Sequence, residues 1–233
     1  MEKENSELAK IENVIAMDGP AGAGKSTVAR IVAKGLDYQY LDTGAMYRAA
    51  TWWALYSNIN LDNPQVVAEN TKRMDLALIP TDKGMQVMVQ GIDVTQEIRT
   101  PEVTRVIYKL DENPEVRTHL VHLQRLFASK YPTVAEGRDM GTVVFPKAKC
   151  KIYLDAQQEV RALRRQKELE QRGIFIPLED LLEEIKERDQ RNMRREHSPL
   201  RQADDAVYID TSFLSIDDVC KKIIALAYER LAI

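Results

Sequence analysis

Five short apolar runs punctuate the chain: "NVIAMD", "YQYLD", "PTVAEG", "CKIYLDA" and "DAVYID". Each is rich in Val, Ile or Tyr, and each is followed by a helical pattern or by a long connection leading to one. Strand alternating with helix is the signature of parallel pairing through crossovers, so an α/β chain with a parallel sheet flanked by helices is predicted. Four of the runs end in an acidic residue (Asp18, Asp42, Asp155 and Asp210), and the fifth leads into "EGRD". These are expected to be carboxyl ends of strands, where open parallel sheets bind their ligands.

Between residues 62 and 110 the pattern changes. "LALIPTDKGMQVMVQGIDV" reads as short extended pieces separated by turn signals at Asp82-Lys83-Gly84 and Gly91-Ile92-Asp93, which predicts a small antiparallel insert on the main sheet. A helix resumes at Asn113, where Asn, Pro and Glu in succession supply a cap, a first-turn proline and a charge suited to the helix dipole. Its apolar face is Val116, Leu120, Leu123 and Phe127. From Gln157 to about Arg201 the composition is helical and dense in arginine, with a break at "RGIFIP".

Composition narrows the class. With 233 residues, 44% hydrophobic and 30% charged, the chain is long enough for one large core and a smaller attached module. A formal net charge of -3 gives no overall drive toward nucleic acid or acidic lipid, so any basic function has to be local. Two cysteines, Cys150 and Cys220, do not make a disulfide framework, and a reducing cytoplasm is expected. The start "MEKENSELAKIEN" has no apolar core of a signal peptide, and no later run approaches a bilayer span.

The sharpest chemical signal lies between the first strand and the amphipathic run "STVARIVAKGL". Gly19, Pro20, Ala21, Gly22, Ala23, Gly24, Lys25 and Ser26, followed by Thr27, match G-x-x-x-x-G-K-[ST] in its required strand-to-helix setting. Small residues let successive amide groups curl toward a phosphate, and the helix that follows adds its positive end. Lys25 supplies a mobile charge for the outer phosphates, and the Ser26 hydroxyl is placed to ligand Mg2+ bridging them. ATP is therefore the expected co-substrate. An Asn-Lys-x-Asp guanine motif is missing, and so is an apolar strand ending in Asp-Glu, which weakens GTPase and motor readings.

Arginines near strand ends point to the acceptor. "LDTGAMYR" puts Thr43, Tyr47 and Arg48 just after the second strand, and "EGRDMG" puts Arg138 and Asp139 at the end of a central one. On "IKERDQRNMRRE", Arg188, Asn192 and Arg195 fall at i, i+4 and i+7 on one helical face. From Lys186 to Arg201 six cations face three carboxylates, an excess that implies an anionic partner. His119 and His122, three apart with no third ligand nearby, read as surface helix residues, and Trp52 and Trp53 as packing behind the second helix.

Taken in order and spacing, "DGPAGAGKST", "LDTGAMYR", "EGRDMGTVVFP", "KIYLDA" and "EIKERDQRN" resemble the bacterial cytidylate kinase family, from about Val14 to the C-terminus. The resemblance implies a P-loop nucleoside monophosphate kinase fold with a five-stranded parallel sheet. It divides the chain into a core of residues 13–61 and 111–233, an acceptor-closing insert at 62–110, and a short lid at about 157–174. It further implies transfer from ATP to CMP or dCMP. Lys25, Arg138 and Arg188 would be catalytic. Arg48 and Arg138 would hold the acceptor phosphate, Tyr47 and Arg188 the sugar side, and Arg117 and Asp139 the cytosine. Arg195 would join the phosphate or base contacts, and Thr43 stands where the family has a small hydroxyl residue.

The chain departs from that pattern twice. Asn192 stands where relatives carry Asp in R-D-x-x-D, and Tyr108 occupies a stretch where they carry a small hydroxyl residue, which leaves ribose against deoxyribose, and CMP against UMP, open. A monomer acting on free nucleotides, with neither nucleic acid nor membrane as partner, is expected. Two rivals remain at this stage: a hydroxyl kinase of shikimate type, and a non-catalytic ATP-gated module using the arginine helix on nucleic acid.

Overall fold

The structure is a computed structural model that describes residues 13–81, 84–171 and 173–233. The chain runs β1 (Val14–Asp18), α1 (Lys25–Leu36), β2 (Gln39–Asp42), α2 (Thr43–Tyr56) and α3 (Pro64–Lys72). Then come β3 (Leu76–Thr81), β4 (Gly84–Val89), β5 (Ile92–Asp93), α4 (Pro101–Val106), α5 (Tyr108–Asp111) and α6 (Pro114–Lys130). It finishes with β6 (Thr133–Glu136), β7 (Cys150–Asp155), α7 (Gln158–Glu170), α8 (Leu178–Arg194), β8 (Val207–Asp210) and α9 (Ile216–Leu231).

The five apolar runs all become strands of one parallel sheet in the order β2-β6-β1-β7-β8. Every residue of β1 is buried. Val14 and Ala16 join the core under α2 and α6, while Ile15 and Met17 join the core under α1 and α9. A strand covered on both faces has no need of polar alternation, which is why these runs read as continuous apolar stretches. Connections leave β1 toward β2 on one side and reach β8 on the other, so the sheet's switch point lies at the carboxyl ends of β1, β6 and β7.

The antiparallel piece is present as a three-stranded sheet, β3-β4-β5. Its second turn is shifted from the expected one: Gln90 and Gly91, with φ of 51° and 74°, make a two-residue hairpin, and Ile92-Asp93 are strand. The other expected turn, at Asp82-Lys83, lies outside the described residues. Residues 62–110 are also more helical than expected, because Asn63-Pro64 and Thr100-Pro101 start helices as Asn113-Pro114 does. The Asn63 side chain accepts from the amides of Gln65 and Val66, that of Thr100 from Val103, and that of Asn113 from Glu115 and Val116. Val67, Val87, Val94 and Ile98 from this stretch are buried in the same core as Met46 and Leu120.

Between α7 and α8 a small cluster of Ala162, Leu169, Leu181 and Ile185 holds the two helices together. Gly173, at φ 74°, turns the chain between them. The second helix stops at Arg194, short of the expected Arg201: Arg195 is extended, and Ser198 takes a left-handed φ of 53° before Pro199. Trp52 and Trp53 pack against the main core, and both cysteines are free and buried. Among the described residues no helix is long and apolar enough to cross a membrane.

One contact fixes the start of the glycine loop to the sheet. At Gly19, φ is 146° and an added Cβ would stand 1.9 Å from the carbonyl oxygen of Leu154 in β7. Gly19→Ala is expected to destabilise the fold by roughly 2–3 kcal/mol, lowering the melting midpoint by roughly 4–12 °C. A midpoint within about one degree of the parent's in a thermal melt would contradict this tight approach.

Candidate active site

The loop Gly19–Gly24 turns through φ of 77° at Gly22 and 91° at Gly24, which glycine adopts without strain. Gly24 caps α1 with no side-chain hydrogen bond, and the first turn holds no acidic residue. The helix therefore presents its first amides and its positive end uncompensated, an arrangement suited to an anion. Lys25 is buried beside them, and its ammonium donates to the Pro20 carbonyl at 2.7 Å. Burial holds that ammonium well below its usual range; Arg138 and Arg188 push it further down, against the pull of Glu136 and Asp18.

Three arginines converge on the same space from separate elements. Arg138 follows the end of β6, Arg48 lies on α2 and Arg188 on α8. Burial lowers Arg188 to about 9, with Arg138 and Arg48 lowering it further. Arg48 is brought to about 10, chiefly by burial, with Arg99, Arg165 and Arg138 adding to the effect against Asp42. Arg48 is steadied by donating to Thr104 Oγ1 at 2.7 Å, a contact made from α4.

Buried carboxylates stand between these cations. Pairing sets Asp42 beside Glu136 at the ends of β2 and β6, while Glu136 pairs with Met17 of β1, so that Asp18, one residue farther on, turns to the other face of the sheet. Glu136 accepts from the Tyr40 hydroxyl at 2.5 Å and shares hydrogen bonding with the Ser26 hydroxyl. Burial first, then Asp42, pushes its carboxyl upward. Asp18 accepts the amides of Met140 at 2.7 Å and Gly141 at 2.8 Å, fixing the turn after Arg138 and Asp139 to the strand that leads into the glycine loop.

A second group sits farther along the cleft. Arg117 donates to Asp139 at 2.5 Å and to the Asp111 carbonyl at 2.9 Å, and its guanidinium lies 5.3 Å from the centre of the Tyr47 ring. Arg195 donates to the Ser198 carbonyl at 2.8 Å. Three polar atoms here, Tyr47 Oη, Arg117 Nε and Arg195 Nε, are buried without a partner among the described residues. Buried donors left unmatched are costly, so their clustering marks a place built for a ligand rich in acceptors.

These groups open on one cleft of ≈ 920 Å³. It is lined by Ala21 to Thr27 and by the candidate residues Thr43, Tyr47, Arg48, Arg117, Arg138, Asp139, Arg188, Asn192 and Arg195. Gly19, Pro20 and Tyr108 are the exceptions: Gly19 packs on Leu154 of β7, the Pro20 carbonyl accepts from Lys25, and Tyr108 is exposed outside the cleft with the Arg191 guanidinium 5.4 Å from its ring centre. Arg195 reaches the cleft from beyond the end of α8, and Thr43 donates to the Glu136 carbonyl at 2.6 Å, leaving only acceptor character toward the cleft. Glu136, Tyr40, Arg99 and Arg165 also line it and were not singled out; Glu136 was within reach as a strand-end acid. Among the described residues no three His, Cys, Asp or Glu side chains gather into a metal site, His119 and His122 included.

The cytidylate kinase family profile matches residues 15–229. A cytidylate kinase of Carboxydothermus hydrogenoformans is 46% identical over 91% of this chain and 96% of its own length. One from Bacillus subtilis is 48% identical over 93% and 96%, and one from Desulforamulus reducens 50% identical over 90% and 94%.

The Asp18 carboxyl has a signature in stability. Burial raises it from its ordinary 3.8 to about 6, more than the amides of Met140 and Gly141 and Lys25 draw it back. Between those values the folded chain holds a proton that the unfolded chain has released, so stability falls as pH rises through this window. Across it, the unfolding free energy of the parent is expected to drop relative to that of Asp18→Asn by up to about 3 kcal/mol. Denaturant titrations at pH 4 and 6.5 giving equal changes for both proteins would contradict the assignment.

Proposed function

The chain belongs to the cytidylate kinase family, and on that premise we propose that it transfers the γ-phosphoryl group of ATP to the phosphate of CMP or dCMP. One observation carries the reading: Lys25, Arg48, Arg138 and Arg188, from four different elements, lie within one another's field around a single cleft. Two nucleotides carrying phosphate chains repel each other in water. A cleft whose own cations are held together against repulsion gains most when both chains are present.

In this reading Lys25 and the amides of residues 22–27 hold the donor phosphates, while Arg48 and Arg138, joined by Arg188, which stands beside both rather than on the sugar side that the resemblance implies, hold the acceptor phosphate in line with them. Tyr47, Arg117, Asp139 and Arg195 hold sugar and base, using the unpartnered atoms Tyr47 Oη, Arg117 Nε and Arg195 Nε. Asn192 offers a neutral amide to the sugar. The acceptor oxygen is already an anion near neutral pH, so no general base is required, and catalysis is positioning and charge neutralisation.

Mg2+ takes few protein ligands and keeps water and phosphate oxygens, which suits the Ser26 hydroxyl with the Glu136 carboxylate beside it. When bound, it would neutralise charge on the donor's outer phosphates. Residues 62–110, which supply Arg99 and Thr104, act in this reading as the part that closes on the acceptor, and residues 157–174 as the lid over the donor. The working form is a monomer in the cytosol, with which two free, buried thiols agree. The inward setting of Arg188 and Arg195, which line the cleft, speaks against an outer basic stripe for nucleic acid.

The test is ADP formation with CMP, dCMP, UMP, AMP and shikimate in the presence of Mg2+. CMP and dCMP are expected to support turnover, with shikimate inactive. Lys25→Ala is expected to lower kcat at least about a thousandfold, and Arg138→Ala to raise KM for CMP at least about tenfold while ATP binding shifts less than about threefold. Near-parent kinetics in both variants, or turnover on shikimate alone, would overturn the assignment.

A further inference from the structure

Arg161, in the first turn of α7, and Asp189, on α8, make a buried ion pair at 2.5 Å, their side chains 4% and 5% exposed. Neither lines the cleft, although Arg164 and Arg165 one turn farther along α7 do. The pair grips one residue of the glycine loop through the two peptide groups that flank its Cα. Arg161 donates to the Ala21 carbonyl at 3.0 Å, and the Ala21 amide donates to Asp189 at 3.4 Å. The Arg161 Nε donates in turn to the Ala156 carbonyl just after β7, so the guanidinium bridges sheet, loop and helix. Contact here is close: a Cβ added to Gly22 would lie 3.0 Å from Arg161 Cβ.

The position of Asp189 gives the grip a consequence. It follows Arg188 directly and precedes Asn192 by one turn, so the carboxylate fixed to the loop belongs to the helix that presents both side chains to the cleft. The backbone of Ala21 is thereby tied directly to α8. Because its own N–H and C=O are engaged by the pair, the amides after Ala21 are the ones left for phosphate.

We propose that Arg161 and Asp189 are positioning residues that couple the donor's loop to the acceptor's arginine helix, so that a nucleotide bound at the loop steadies Arg188 before the acceptor arrives. This rests on the donor binding at the loop, as in the function proposed above. Coupling of this kind is measurable as a free energy shared between two sites.

The test uses the full chain and a non-hydrolysable ATP analogue with Mg2+, read by amide hydrogen exchange over residues 19–27 and 178–194. In the parent the analogue is expected to protect both segments. In Asp189→Asn, which keeps an acceptor for Ala21 but loses the charge, loop protection should persist, protection of 178–194 should fall by at least half, and kcat should fall at least tenfold with KM for ATP within threefold. Arg161→Lys, which keeps the charge but not the fork, should lie between, and it decides the matter if Asp189→Asn does not fold. Undiminished protection of 178–194 with turnover within twofold of the parent's overturns the proposal, as does a parent in which that segment gains none. If the analogue protects both segments but no nucleoside monophosphate is phosphorylated, the coupling stands and the proposed function falls.

Discussion

Repulsion among like charges is the constraint around which this molecule is arranged. Lys25, Arg48, Arg138 and Arg188 would move apart in a flexible chain; here each is carried by a different element and held near the others. The parallel sheet makes this possible. With β1 in the middle of the order, the glycine loop, the segment after β6 and the start of α2 all leave from adjacent strand ends, and α7 and α8 close the remaining side.

Carboxylates keep the arrangement tolerable without cancelling it. Asp42 and Glu136 are brought together by strand register, Asp18 ends the neighbouring β1, and burial drives both Asp18 and Glu136 toward their neutral forms. The cleft thus retains positive character, which the proposed function uses for phosphate, with the Glu136 carboxyl and the Ser26 hydroxyl side by side within it. A site organised in advance needs little rearrangement when charge shifts during transfer, which is where such electrostatic stabilisation is most effective. Farther along the cleft the Arg117–Asp139 pair, with Tyr47 against it, gives a more neutral end suited to a base.

Much of this was legible in the sequence, for identifiable reasons. Buried parallel strands are continuous apolar runs, so all five stood out, and the glycine loop declares its chemistry because only small residues permit its backbone path. Arg138, Arg188 and Asn192 were legible from strand-end position and helical spacing. What escaped notice depends on registers between distant elements. Glu136 gains its role only when β2, β6 and β1 lie side by side, and Arg161 meets Asp189 only through the packing of α7 on α8. The helices at Asn63-Pro64 and Thr100-Pro101 carry the same cap signature as Asn113-Pro114, but they are short and flank a longer alternating stretch whose period-two pattern is the stronger signal.

The central claim is that one cleft gathers two phosphate chains at once. The most direct measurement is calorimetric titration with a single ligand in which cytidine and adenosine are joined through five phosphates, compared with CMP and ATP alone at the same salt concentration. The account predicts binding at least about a hundredfold tighter than the better of the two separate nucleotides, since the second half binds intramolecularly. Binding no tighter than ATP alone would show that the cations do not serve both chains together, and would contradict the account.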